Sequence, residues 1–342
     1  MKITLSMTHH DAPQPDSENN LFRETHSDGR LVKRSVANLL VAISVFSLVT
    51  MIAGMLGKWH FLLDLASHLR VQATIAVLAS GVMLAMLGRR RVATACVLVG
   101  IGMATTLTPY YWPPKPMTGK TYRLMTANVL TRNTNKSLVL QSIDQMDPDF
   151  VLLQETDNAW TQAIQRGLHQ KYPYHRLEPR DDNFGIAMFS KHRWSKCEVI
   201  SFSPEIQLPS LIAEFQLPDG TELQLIATHP LPPIRHSTWT ARNRAFKGVA
   251  KEVQQRGSHR TIVAGDLNST PWSYWFKRLL KESGLRDSSR GQGLQSTWNP
   301  TSLPFPGLAI DHVLVGSEIE IADRMVGPSI GSDHRPVIVD FR

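Results

Sequence analysis

Cysteine is almost absent from this chain: its 342 residues include two, Cys96 and Cys197. Cys96 lies inside a long apolar run. That leaves a single thiol in the polar remainder, which excludes an internal disulfide there, and no paired-cysteine spacing offers a zinc cage. A surplus of positive charge is also missing from most of the sequence. The net charge is +8, yet from Met117 onward 26 Lys and Arg face 23 Asp and Glu, a balance of +3, and the other +5 precedes Met117. The C-terminal part is therefore not strongly basic, which weakens a reading as a binder of duplex DNA, for which a dense cationic face is wanted. No internal repeat is evident.

Charge of either sign disappears from three stretches, Ser35–Gly57, Val71–Gly88 and Val92–Pro114. At 1.5 Å per residue they would extend about 34, 27 and 34 Å, close to the hydrocarbon thickness of a bilayer. They predict a membrane region over residues 35–114 with about three transmembrane helices; a buried helical hairpin in a soluble core is the competing reading. A cleavable signal peptide does not fit, because the first run starts deep in the chain and is too long for an h-region. Residues 1–34, polar and Pro-containing, are expected to form a disordered cytoplasmic N-terminus. Arg30, Lys33 and Arg34 flank the first run and Arg89–Arg91 join the second and third, whereas only Lys58, Asp64 and Arg70 separate the first two. The positive-inside rule then sets the N-terminus in the cytoplasm. Three crossings put everything after them outside a plasma or inner membrane, with the lipid bilayer as partner. A middle run that only skimmed the surface would invert that side.

Tyr110-Tyr111-Trp112-Pro113-Pro114-Lys115-Pro116 closes the membrane region, its rings suited to the headgroup zone and its prolines barring a continued helix. A boundary is expected near Thr118, with a second domain over 118–342. There strand-like and helix-like stretches alternate. Strands are predicted over Tyr122–Val129, Phe150–Leu153, Phe184–Phe189, Leu211–Phe215, Leu223–Ala227, Thr261–Ala264, Ile310–Val315 and Pro336–Phe341. Helices are predicted over Asn135–Met146 and Thr238–Val253, and Pro218-Asp219-Gly220 marks a hairpin. Many strands with interspersed helices point to layered α/β sheets.

The polar residues at the ends of these strands carry the chemistry. Cleaving a phosphoester near neutral pH needs a divalent cation on the phosphate oxygens, a base for water, and donors for the developing charge. Asn128 and Glu155 each end an apolar run, where they serve equally as caps or turn formers. In Gly265-Asp266-Leu267-Asn268 the glycine permits a tight turn, and Asp266 and Asn268 share one side if strand geometry persists; an Asx-turn is the simpler reading. Ser332-Asp333-His334 sets a carboxylate beside an imidazole, and Asp311 is a candidate to orient that ring. His229 either donates to phosphate or caps a strand, while Asp311-His312 reads equally as a surface pair. His169, His175, His192 and His236 are expected to be solvated. Trp239, Trp272, Tyr274, Trp275 and Trp298 would form either core or a stacking rim.

In order, Thr126-Ala127-Asn128-Val129, Asp149 to Glu155, Gly185 to Lys191, Thr228-His229-Pro230, Gly265 to Asn268, Ile310 to Leu314 and Ser332 to Pro336 resemble the motifs of the endonuclease/exonuclease/phosphatase superfamily, which includes deoxyribonuclease I-like nucleases and sphingomyelinases. The resemblance covers about Lys120 to Arg342. It implies a four-layer α/β sandwich with two packed mixed β-sheets, preceded here by the N-terminal transmembrane helical region. It also implies Mg2+, with Mn2+ able to substitute, at Glu155 with Asn128 and Asp333. Asp266 and Asn268 would orient the nucleophile and bind phosphate, His334 paired with Asp311 would be the catalytic histidine, and His229 a phosphate donor. Abasic-site endonucleases differ, with Lys where this chain has Asp157 and Tyr in place of His229. The implied activity is metal-dependent hydrolysis of a phosphoester, most simply a phosphodiester in phospholipid or nucleic acid. A non-enzymatic membrane-anchored binding module on the same fold is the alternative.

Overall fold

The computed structural model describes residues 16–113, 119, 121–203, 205–301 and 306–342, with side chains from residue 30 onward. The expected boundary at Thr118 and the first fifteen residues of the expected tail lie outside the described residues. Four helices come first: α1 (Asp16–Met55), α2 (Phe61–His68), α3 (Arg70–Met86) and α4 (Arg90–Thr105). The second domain then runs β1 (Tyr122–Asn128), α5 (Lys136–Met146), β2 (Phe150–Gln154), α6 (Asn158–Leu168), β3 (Tyr174–Glu178) and β4 (Ile186–Ser190). It continues with β5 (Trp194–Ile200), β6 (Ser210–Gln216), β7 (Glu222–Ala227), α7 (His236–Arg256), β8 (Thr261–Asp266) and α8 (Tyr274–Ser283). It closes with β9 (Arg286–Asp287), β10 (Asp311–Val315), β11 (Ile321–Val326) and β12 (Val337–Phe341).

The strands form two six-stranded sheets, ordered β11-β12-β1-β2-β4-β3 and β5-β6-β7-β8-β10-β9. Each has one parallel pair near its middle, β1 with β2 and β7 with β8, and antiparallel neighbours elsewhere. Side chains alternate across a strand, so each sheet has an inner and an outer apolar set. Leu124, Leu152 and Val339 face Ala213, Leu225, Ile262 and Val313 in the core between the sheets. Met125, Val151 and Leu153 turn outward onto Val139, Ile143, Trp160 and Ile164 of α5 and α6. Ile212, Ile226, Val263 and Leu314 turn outward onto Phe246, Val249, Phe276 and Leu279 of α7 and α8. The result is the expected four-layer sandwich, α/β/β/α.

The helical region departs from the expected three spans. Among the described residues, Arg30–Met55 alone is long and apolar enough to cross a bilayer, and α2 with α3 passes only as a pair bent by 60°. The third expected span, drawn to Pro114, ends in the structure at Thr105, where a 3-10 turn over Thr108–Tyr110 with Pro109 takes over. Its 16 residues reach about 24 Å, short of the hydrocarbon thickness. The helix of the first span extends back to Asp16, into the stretch expected to be disordered; once a long helix exists, each added residue costs little. α3 and α4 form an antiparallel hairpin packed through glycine, since a Cβ on Gly100 would stand 2.4 Å from Leu78 Cδ2 and one on Gly81 2.9 Å from Val97 Cγ2. Outward from these helices point Phe46, Val82 and Leu98, 69%, 58% and 64% exposed.

The short helix α2 does not sit among its neighbours alone. Asp64, fully buried, accepts from Ser273 Oγ at 2.7 Å and Trp239 Nε1 at 3.2 Å and pairs with Arg242 of α7. His68 Nδ1 lies 2.8 Å from Thr270 Oγ1, and Gln72 Nε2 donates to the carbonyls of Pro306 and Gly307. The helical region is thereby docked on the second domain through buried polar groups, with Tyr110 against Trp272 at a ring separation of 5.9 Å.

Candidate active site

Asn128 and Glu155 emerge from neighbouring parallel strands of the first sheet, and Asp266 from the parallel pair of the second. Parallel strands deliver their C-terminal residues to one edge, and the packed sheets bring those edges together. Asn128 Nδ2 donates to Glu155 Oε1 at 2.8 Å and to Asp266 Oδ2 at 3.1 Å, so one amide nitrogen joins both sheets. Glu155 also accepts from Thr131 N at 3.3 Å, and its backbone carbonyl takes the Thr131 hydroxyl at 3.0 Å. Glu155 holds φ at 63°, Leu130 at 58° and Asn268 at 49°. Three non-glycine residues in the left-handed region around one cleft represent stored backbone strain.

Gly265 is needed for a different reason than the tight turn expected of it. It lies inside β8 with φ 143°, and a Cβ there would stand 2.1 Å from the Thr228 carbonyl oxygen. The glycine lets β7 and β8 close up so that His229, just past β7, reaches Asp266. Asp266 Oδ2 is 3.4 Å from His229 Nε2 and 3.7 Å from His334 Nε2, and its Oδ1 accepts the Asn268 N–H at 2.9 Å. That last bond is the Asx-turn reading, realised together with the site. Asn268 does not continue the strand. Its Nδ2 donates to Pro230 O at 3.0 Å, and its carbonyl accepts from Arg242 Nη1 at 3.2 Å.

His334 lies in the loop entering β12, where Ser332 Oγ accepts its N–H at 3.0 Å and itself donates to Asn128 O at 2.9 Å. Its Nδ1 is 2.9 Å from Asp311 Oδ2. Asp311, at the start of β10, is 1% exposed, and its register partner across the sheet is Asp266. Burial opposes charge on His334, but Asp311 and Asp266 outweigh it and hold the imidazolium above the ordinary histidine range. Burial likewise works against the Asp266 carboxylate, yet His334 and His229 with the Asn268 N–H hold it below the usual range. The two shifts describe one coupled pair in which the carboxylate is ionised and the ring protonated.

Of the expected residues, Asn128, Glu155, His229, Asp266, Asp311 and His334 form one contact network. Asp333 borders it, with Oδ2 accepting from Trp298 Nε1 at 3.0 Å and Oδ1 3.5 Å from Ser332 Oγ. Asn268 joins through its backbone. His312 is neither a surface residue nor part of the cleft: it is 1% exposed, contacts Ser269 O at 2.8 Å and lies on Phe276. Of the aromatic set, Trp298 reaches the site, 6.4 Å from the His334 ring, whereas Trp239 and Trp272 are buried toward the helical region. His192 is not freely solvated, because its Nε2 lies 3.1 Å from Asp149 Oδ1. Sequence reasoning missed Thr131, Phe184, whose ring lies 5.1 Å from His229, and Arg242, whose only signal was its place in a basic helix.

The donor set suits a hard cation. Glu155, Asn128 and Asp333 offer oxygen without a thiolate, and Asp311 Oδ1 is buried without a partner among the described residues. Asp266, Asp311 and His334 also converge within 4.8 Å. Both ring nitrogens of His334 already face these two carboxylates, so that trio is arranged for proton exchange rather than as a cage.

A model of the Endonuclease/Exonuclease/phosphatase family matches residues 125–334, more than half of the chain. No curated protein matches the sequence. Among solved structures, TDP2 from D. rerio complexed with a single-strand DNA product is 17% identical with a TM-score of 0.55, covering 66% of this chain and 100% of its own. Beta toxin from Staphylococcus aureus with bound magnesium ions is 17% identical with a TM-score of 0.51, covering 64% and 99%. Sphingomyelinase C from Streptomyces griseocarneus is 16% identical with a TM-score of 0.50, covering 65% and 99%.

Proposed function

The chain belongs to the endonuclease/exonuclease/phosphatase family, whose members are hydrolases of phosphoesters, and from that footing we propose that it is a membrane-anchored, Mg2+-dependent phosphodiesterase acting on phospholipid headgroups. The observation that carries this reading is the Asn128 amide joining Glu155 and Asp266, beside the Asp311–His334 pair. A cation site and an acid–base pair then adjoin on one cleft.

Each residue has a task in this scheme. Asp266 stays ionised between two imidazoles and accepts the proton of an attacking water. As the water oxygen bonds to phosphorus the ester P–O bond breaks, and His334, oriented by Asp311 through Nδ1, gives its Nε2 proton to the leaving alkoxide, while His229 faces the phosphoryl oxygens from the other side of Asp266 as their charge grows. Glu155, with Asn128 and Asp333, would hold Mg2+, which neutralises phosphate charge when bound. Mn2+ satisfies the same donors.

The anchor favours a lipid substrate, because a domain docked where three apolar helices end meets headgroups at high effective concentration. The docking also supports an extracytoplasmic site. α2 follows the first apolar helix, and Tyr110 follows the last; both contact the second domain. The basic clusters Arg30–Arg34 and Arg89–Arg91 belong to the opposite helix ends, which the positive-inside rule assigns to the cytoplasm. A non-enzymatic binding module would be marked by a lost ligand or histidine, and this chain retains all of them.

The test is turnover of bis-p-nitrophenyl phosphate with Mg2+ by the full chain in detergent, against Glu155→Ala. Activity should fall to background, and full activity in the variant would remove Glu155 from its role. Phospholipid vesicles compared with single-stranded DNA decide the substrate. DNA cleavage would be suppressed steeply by salt through counterion release, and hydrolysis of a neutral headgroup would not.

A further inference from the structure

A cavity of about 560 Å3 opens between the helical region and the second domain, away from the cleft. Met55 at the end of α1, Arg70 at the start of α3 and Tyr110 beyond α4 border it on one side, and Trp272, Lys277 and Arg290 on the other. All three apolar helices reach the same level here, so the cavity lies where a bilayer's headgroups would meet the protein. The exposed Met55, Trp59 and Trp112, at 65%, 71% and 84%, mark that level.

Three cations border this one space. None of them forms an ion pair among the described residues. Arg70 is only 7% exposed, and its Nε has no hydrogen-bond partner. Lys277, exposed on α8, borders the same space as Arg70. The one carboxylate among the bordering residues, Asp287, accepts the Ser289 N–H on Oδ1 at 2.9 Å, while its Oδ2 is buried without a hydrogen-bond partner among the described residues; it forms no ion pair with the three cations, and its charge acts on buried Arg324. Buried guanidinium without a counter-charge is costly, and phosphate is the anion whose oxygens match its fork of donors. Beside these cations Leu280 and the exposed Met55 at the end of α1 give the wall apolar surface.

We propose that this cavity is a non-catalytic binding site for the phosphate of an anionic phospholipid, held by Arg70, Lys277 and Arg290 with its chains along the anchor helices. The proposal rests on the membrane placement of the helices and not on the catalytic reading, since no residue of the cleft borders the cavity.

The experiment uses the full chain carrying Glu155→Ala, so that no lipid is turned over, in nanodiscs of phosphatidylcholine with graded phosphatidylglycerol. Lipid retained on transfer to detergent is read by native mass spectrometry. The Glu155→Ala protein should retain phosphatidylglycerol over phosphatidylcholine. Adding Lys277→Gln and Arg290→Gln, both at exposed positions, should cut that preference at least about tenfold, the loss of one or both of two charge-assisted contacts. Adding Lys281→Gln on the same helix but off the cavity should leave it unchanged. Undiminished preference in the Lys277/Arg290 variant overturns the proposal, as does an equal loss with Lys281→Gln. Inorganic phosphate displacing the lipid at millimolar concentration would instead assign the site to soluble phosphates. If the wild-type chain fails to turn over bis-p-nitrophenyl phosphate while the lipid preference stands, the catalytic reading fails alone.

Discussion

Replacing Asp64 by alanine would strand a guanidinium inside the protein. Arg242 is fully buried, and Asp64 is its only carboxylate among the described residues. The variant would also leave Trp239 Nε1 and Ser273 Oγ without the acceptor they now share. Removing one partner of a buried ion pair costs about 3–5 kcal/mol, because the surviving charge stays desolvated. For a cooperative unit of 150–250 residues that corresponds to a fall in Tm of roughly 6–20 °C. Near-UV circular dichroism melts of the full chain in detergent would measure it. A second variant tests the cause: Asp64→Leu with Arg242→Met removes both charges and should recover most of the loss. A fall below about 1 kcal/mol for Asp64→Ala would refute the buried pair, and so would a double variant no better than the single one. Activity carries a further signature. Arg242 Nη1 donates to the Asn268 carbonyl, so the single variant should lose turnover even at temperatures where it remains folded.

Asp311→Asn should fold normally yet lower kcat by about 10²–10⁴-fold with little change in KM, because the His334 ring loses its orienting carboxylate; steady-state kinetics on bis-p-nitrophenyl phosphate decides, and an unchanged kcat removes Asp311 from the pair. Chelation by EDTA should abolish turnover, and Mg2+ or Mn2+ should restore it; persistent activity in EDTA would rule out a metal role for Glu155. Gly265→Ala should not accumulate as folded protein, since its Cβ would overlap the Thr228 carbonyl; a normal melt would contradict the geometry. Phe150→Ala should cost about 3–5 kcal/mol in a melt, because the ring, fully buried, bridges the sheets to Phe215 at 5.0 Å.

The sequence made the central strands legible because they are continuous apolar runs. All four edge strands, β3, β5, β9 and β11, escaped it. Their alternation is broken by charge, as in Tyr174-His175-Arg176-Leu177-Glu178, and charge on edges guards against unwanted pairing. Helices α6 and α8 escaped too, although Asp157 Oδ1 caps Trp160 N at 2.7 Å and Ser273 Oγ caps Trp275 N at 3.2 Å. At the site, the identities of the groups could be read because each follows a recognisable motif. Their pairing could not, except for Asp311 with His334. The Asn268 side chain illustrates the limit: a strand continued past Asp266 would aim it at phosphate, but the left-handed turn hands its amide to Pro230.

The docking of α2 was invisible in the sequence for a simple reason. Asp64 stood as a lone acid between two apolar runs, and its partners Arg242 and Ser273 lie 178 and 209 positions away. Seen in place, it changes what the anchor is. A simple tether could be cut at the Pro-rich stretch after Tyr111 and would release an intact domain. Here that cut would expose Trp239 and Trp272, leave Arg242 unpaired, and remove the His68 contact from Thr270, two residues past Asn268. Through Arg242, α2 thus supports the backbone of the Asp266–Asn268 turn. Activity and anchorage should therefore be lost together on truncation, whereas a passive tether would let them separate.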